Sequence, residues 1–232
     1  LSFLLLINLS FCGNNENKVF KENTMQAMKQ VADWQIKNFS YKKEGNLHDY
    51  GIDAWTNGVL YLGMLEWAKI AKDESYFNWL MGIGNENSWS IPANFADYPK
   101  YRYYHADELC IAQFYLGMYD KYQKPEMIAS VQQRADWIMA NPADSIMSYR
   151  NKKLWTWCDA LFMAPPVYVH LSNITGNKAY TDYMHENFLK TYIHLYDKET
   201  HLYYRDDSYF GKTEANGEKV FWGRGNGWVL AG

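Results

Sequence analysis

Three cysteines in 232 residues are too few and too scattered for a disulfide framework or a thiolate metal site. Cys12, Cys110 and Cys158 form no Cys-x-x-Cys pair, and the last two read as buried thiols in apolar helices. No block of Lys and Arg stands out against a formal net charge of −3, which argues against nucleic acid as a partner. Nothing in the spacing of His, Cys, Asp and Glu signals a metal, and no cofactor motif is present. The apolar run at residues 1–11 is too short to cross a bilayer.

That run has no initiator Met and reads as the tail of a signal peptide. Cys12 follows, then a polar Gly-Asn-Asn-Glu-Asn stretch. The arrangement resembles a bacterial lipoprotein processing site in which Cys12 becomes a lipid anchor. The expected location is therefore exported: periplasmic or membrane-anchored in a bacterium. Residues 1–22 read as a leader remnant and linker.

Aromatic residues are plentiful: 18 % of the chain, with ten Trp and twenty Tyr. Their flat apolar faces and polar edges suit sugar rings, although a core of large side chains uses the same residues. A helix is expected from about Thr24 to Phe39, capped by Asn23 or Thr24, with Ala27, Val31, Trp34 and Ile36 facing inward. Residues 40–54, with Lys42, Lys43, Gly45, Asn46 and His48, read as loop.

From there the chain repeats. Asn57, Asp107 and Asp159 each open an apolar helix, at intervals of 50 and 52 residues. A more charged helix follows each, starting near Tyr76, Met127 and Tyr180. Paired helices at this period are a repeat architecture. The long aromatic loops at 85–106, 141–158 and 197–225 favour a closed α/α toroid over an open solenoid. Pro165-Pro166 should bend the third inner helix, and Leu202–Asp207 contains a β-prone stretch. Residues 221–232 open a fourth inner helix, and both ends of the chain read as clipped.

The chemistry-bearing stretch is Trp155-Thr156-Trp157-Cys158-Asp159, just before an apolar helix. Asp159 can cap that helix. Alternatively it faces a pocket lined by Trp155 or Trp157, where lost hydration raises its pKa.

Trp157-Cys158-Asp159-Ala160-Leu161-Phe162-Met163-Ala164-Pro165-Pro166, Tyr203-Tyr204-Arg205-Asp206 and Trp222-Gly223-Arg224-Gly225-Asn226-Gly227-Trp228 resemble the unsaturated rhamnogalacturonyl hydrolases of glycoside hydrolase family 105. The unsaturated glucuronyl hydrolases of family 88 are similar. The resemblance implies an all-α (α/α)6 toroid, six hairpins in the whole fold, with residues 23–232 an incomplete catalytic domain of roughly four hairpins. It implies an oligosaccharide substrate, released by a lyase from rhamnogalacturonan or a related glycan, with a 4,5-unsaturated uronic acid at its non-reducing end. It also implies hydration of that double bond, with Asp159 as the general acid at C4. Asp107 would be a second carboxylate holding sugar hydroxyls and supporting the pKa of Asp159. Arg224 would grip the uronate carboxylate in bidentate fashion. Trp222 and Trp228 would stack on the sugar, with Gly225 and Gly227 letting backbone approach. Arg205 stands where some members carry His, a position that bears on linkage or neighbouring sugar. His105, Trp157, Trp55 and Asn57 would be further contacts.

Plainer roles compete. Asp107 could be only a cap, His105 a solvated loop residue, Arg224 a surface ion pair, and Trp55 and Asn57 packing. At the level of function, the alternatives are a non-catalytic helical-repeat binding protein and an inverting α/α glycosidase. The latter needs two carboxyls about 6.5–9.5 Å apart.

Overall fold

The structure, a computed structural model, describes residues 2–41, 50–91, 100–143 and 146–232, with side chains from residue 18 onward except those of residues 100 and 101. The expected loop at Lys42, Lys43, Gly45, Asn46 and His48 lies outside the described residues, as do parts of two long loops and the Cys12 side chain.

The repeat is a helical hairpin. α2 (Trp55–Ala71) turns into α3 (Glu74–Glu86), and α4 (Cys110–Tyr122) turns into α5 (Glu126–Ala140). α6 (Ala160–Met163) and α7 (Pro165–Thr175) together turn into α8 (Ala179–Leu195). α9 (Gly223–Ala231) opens the next unit. The three turns share a device: Lys72, Gln123 and Gly176 end their helices in the left-handed conformation, with φ of 56°, 53° and 73°. Asp73 then starts α3 by accepting the Ser75 N–H at 2.9 Å.

The first helices of successive hairpins pack on one another: α2 on α4, α4 on α7, and α6 on α9. They form the inner layer, and the second helices lie outside. α4 is buried without interruption from Cys110 to Met118 because it is covered on both sides. α5 buries only a stripe, including Met127, Val131, Ala135 and Ile138. Much of the aromatic content is core: Tyr61 meets Phe114 at 5.3 Å, and Trp89 meets Tyr115 at 5.3 Å. Such pairs contribute about 0.5–1.5 kcal/mol each beyond area burial. Cys110 and Cys158 are buried and free, as expected.

Pro165 and Pro166 break the third inner helix as expected, and the neighbouring helix repairs the break. Two prolines cannot donate to the carbonyls of the turn before them. Gln113 of α4 supplies the missing donor, its Nε2 donating to the Phe162 carbonyl at 2.8 Å and to Met163 at 3.3 Å.

The first helix differs from expectation. α1 (Ser2–Asn38) is continuous, so neither Asn23 nor Thr24 caps it. Among its described side chains Ala32 is buried, with Met25 and Ile36, and Phe39 just past its end, partly covered. Ala27 is exposed, as are Val31 at 68 % and Trp34 at 61 %. Its apolar stripe is wider than the contact α2 offers. Among the described residues no helix is long and apolar enough to cross a membrane. The β-prone stretch shortens to Leu202–Tyr203 (β2), paired antiparallel with Tyr196–Asp197 (β1).

Candidate active site

The inner helices begin at one end of the layer, and their opening residues gather there. Asp159 precedes α6 in helical conformation and makes no side-chain cap bond. Asp107 sits inside a short 3-10 turn, Ala106–Leu109, whose capping residue is His105: its Nδ1 accepts the Asp107 N–H at 3.4 Å. Capping therefore uses neither carboxyl. Both line a 200 Å³ cavity together with His105, Lys152 and Trp157.

Burial dominates the electrostatics. Asp159 is 9 % exposed. Loss of hydration pushes its pKa up to about 6, the Asp107 charge adds to the rise, and His105 and Arg205 oppose it. Asp107 is likewise pushed up to about 6 by burial and by Glu108, against Arg102. Burial lowers the His105 pKa, against the neighbouring charges of Glu108 and Asp159. The two carboxyls share one cavity, and a charge on Asp107 raises the proton affinity of Asp159.

A backbone bond ties this cavity to its neighbour: the Cys158 N–H donates to the Arg205 carbonyl at 2.9 Å. Trp157 lines both. The second cavity, 350 Å³, is walled by Trp157, Trp222 and Phe221 and carries Arg205 and Arg224. The Arg205 guanidinium lies 3.9 Å from the Trp157 ring centroid, and its Nη1 donates to the Tyr209 hydroxyl at 3.1 Å. The Arg224 guanidinium lies 4.6 Å from the Trp222 ring. It makes no ion pair among the described residues, contrary to the surface-pair alternative.

A third cavity, 340 Å³, adjoins on the other side through His105, Asp107 and Lys152. Trp55 lines it, with Tyr50 and the Arg102–Glu108 ion pair, whose closest approach is 2.7 Å.

Asn57, Trp228 and Gly225 make contacts within the fold. Asn57 donates to the Gly51 carbonyl at 2.8 Å, holding the loop before α2, and lines none of these cavities. Trp228 packs on Phe162 at 4.7 Å and edge-on to Trp55 at 6.5 Å, inside the wall instead of on a sugar. A Cβ at Gly225 would come within 2.3 Å of the Trp222 ring and 2.7 Å of Cys158 Sγ, so that glycine serves helix–loop packing. Gly227 has open space around it.

Sequence reasoning missed Lys152, Arg102, Tyr209 and Asn226. Asn226 exchanges both amide hydrogen bonds with the Tyr203 backbone, at 2.8 and 2.9 Å, and so clasps β2 to α9. Its place inside the Trp-x-Arg-x-x-Gly-Trp stretch was the available signal.

Residues 22–232 match the sequence profile of Glycosyl Hydrolase Family 88. The chain belongs to that family. An unsaturated 3S-rhamnoglycuronyl hydrolase of Formosa agariphila is 36 % identical over 195 residues, which are 77 % of this chain and 48 % of the relative. A solved family 88 glycosyl hydrolase from Bacteroides vulgatus superposes with TM-score 0.67 at 29 % identity, covering 77 % of this chain and 52 % of that one. A solved protein described as a polysaccharide lyase gives TM-score 0.72 at 26 % identity, covering 88 % of this chain and 58 % of that one. The chain spans about half the length of the curated relatives it matches. The hairpin layers described above are those of the (α/α)6 toroid of families 88 and 105.

Proposed function

We propose that this family 88 protein removes a 4,5-unsaturated uronic acid from the non-reducing end of lyase-generated oligosaccharides by hydrating the double bond. The observation that carries the reading is Asp159: a buried carboxyl that no cap or ion pair consumes, raised to about 6, on a cavity shared with a second carboxyl. A carboxyl of that pKa holds a proton in mildly acidic solution and delivers it.

In the proposed step Asp159 protonates C4 of the vinyl ether, and positive charge develops at C5 and the ring oxygen. The Asp159 carboxylate then takes a proton from water as that water adds to C5. The hemiketal opens and the glycosidic bond is lost. Asp107 holds sugar hydroxyls and keeps the pKa of Asp159 high. Arg224 grips the uronate carboxylate, and Trp157 and Trp222 form the apolar walls. The name of the Formosa relative supports a rhamnose-containing oligosaccharide, which is the finer part of the proposal.

Asp159→Asn tests the chemistry in the full-length protein. Expected is a loss of about 10²–10⁴-fold or more in the rate at which the absorbance of the conjugated double bond disappears. Retained activity would sink the assignment. A rise in that absorbance on intact polysaccharide would identify a lyase instead. Turnover of saturated glycosides would identify an ordinary inverting glycosidase.

A further inference from the structure

The 340 Å³ cavity contains an ion pair whose two members lie outside the cavity of Asp159. Glu108, next to Asp107 in the 3-10 turn, is 8 % exposed. A carboxylate so buried needs a partner to stay charged. Arg102 supplies it with two guanidinium nitrogens: Nε donates to Oε1 at 2.9 Å, and Nη2 lies 2.7 Å from the same oxygen. Both side chains line the cavity with Asp107, His105 and Lys152, and those three also line the cavity of Asp159. The pair therefore reaches the acid across these residues.

The charges follow the same route. Those bearing most on Asp159 are Asp107, which favours its proton, and His105 and Arg205, which oppose it. Arg102 and Glu108 act one step back. Glu108 opposes the ionisation of Asp107, and Arg102 favours it. Glu108 favours the charged ring of His105, and Arg102 disfavours it. Charge on Asp107 strengthens the proton on Asp159, whereas charge on His105 weakens it. The two routes therefore add: Arg102 tightens the hold on that proton, and Glu108 loosens it. Other titratable groups face the cluster from each neighbouring element. Asp53, ahead of α2, faces Arg102, and Tyr50 lines the same cavity. Lys152, in the loop before α6, faces His105, whose Nδ1 lies 3.8 Å from Asp107 Oδ2. The buried Cys110 thiol, opening α4, faces Asp107.

Resting on the hydrolase reading above, we propose that Arg102 and Glu108 are a positioning pair for the reaction: from outside the cavity of the acid they set the charges on Asp107 and His105, and through these the hold of Asp159 on its proton. Neither touches the reacting atoms. Their halves act with opposite sign, and that separates this role from simple support of the fold.

The pH profile of kcat in the full-length protein tests this, with an unsaturated disaccharide as substrate. Glu108→Gln keeps an acceptor for Arg102 and removes the charge. The fall of kcat with rising pH should move to higher pH by about 0.5 unit or more. Arg102→Gln should move it to lower pH by a similar amount, and Arg102→Lys, which keeps the charge, should hold it near the wild-type position. The double variant Arg102→Gln, Glu108→Gln should return the fall to about the wild-type pH. A merely structural pair would lower stability or rate in both single variants without moving the fall in opposite directions. Shifts of the same sign, or none, overturn the proposal. Should Arg102→Gln fail to fold, Glu108→Gln and the double variant still decide: an upward shift that the second change cancels upholds the proposal, and no upward shift overturns it. A readout without turnover keeps the two readings apart. The Asp159 carboxyl, labelled with carbon-13 and assigned by its loss in Asp159→Asn, is titrated by nuclear magnetic resonance in each variant. If no disaccharide is cleaved, the hydrolase reading fails, while opposite shifts of the Asp159 titration still uphold the control by Arg102 and Glu108. An Asp159 titration that none of these changes moves overturns it.

Discussion

Asp159 and Asp107 occupy positions where a carboxylate would ordinarily cap a helix, yet His105 does the capping at one and nothing does at the other. Burial then raises both to about 6, and that fixes the pH dependence. The acid must be protonated to act, so the rate should fall as pH rises through about 6. Asp107→Asn removes the neighbouring negative charge and should move that fall to lower pH, a shift read from the pH profile of kcat. Stability follows the same titration. A carboxyl whose folded pKa lies above its unfolded value of 3.8 contributes stability that is complete below that value and is lost as pH rises through about 6. For Asp159 the loss is of order 3 kcal/mol. Asp159→Asn should therefore melt above the wild type near pH 8, with the gap closing toward about pH 4. A gap independent of pH would contradict the buried-carboxyl account. At this scale motif and spacing pointed to Asp159, Asp107, Arg224 and Arg205, and in the structure these four line two adjoining cavities. It could not show that Trp228 turns into the wall or that Asn57 ties its own loop, because both depend on how neighbouring elements close.

Among the elements, the break at Pro165-Pro166 is where sequence and packing depend most visibly on one another. The break was legible in the sequence; its repair by Gln113, some fifty residues upstream, was not. Gln113→Leu leaves two buried carbonyls without that donor and should destabilise by about 1–3 kcal/mol, measurable by urea titration. No change would mean that water or relaxation satisfies them. Gly225→Ala tests the packing of α9 on the Asp159 loop. Its Cβ would collide with Trp222 and Cys158, so stability should fall by about 1–3 kcal/mol and the Arg224–Trp222 stack should shift. Asn226→Ala unclasps α9, which carries Arg224, from β2, which ends two residues before Arg205; KM should rise more than kcat falls.

Over the whole molecule, the hairpin period was the most legible feature, since the openers of the first three inner helices, Asn57, Asp107 and Asp159, recur at 50 and 52 residues. The start of α1 was not: its apolar residues are spread around the helix, and Val31 and Trp34 lie exposed where an inward face was expected. The loops before the inner helices bring His105, Asp107, Trp157 and Asp159 to one cavity and Arg205, Trp222 and Arg224 to the one beside it. The account rests on proton delivery to C4 at that site, and isotope placement tests it most directly. Cleavage in deuterium oxide, followed by nuclear magnetic resonance as it proceeds, should give deuterium at C4 as the double bond disappears. A companion run in oxygen-18 water, quenched early, should label C5. Oxygen-18 at the anomeric carbon with C4 undeuterated would contradict the account.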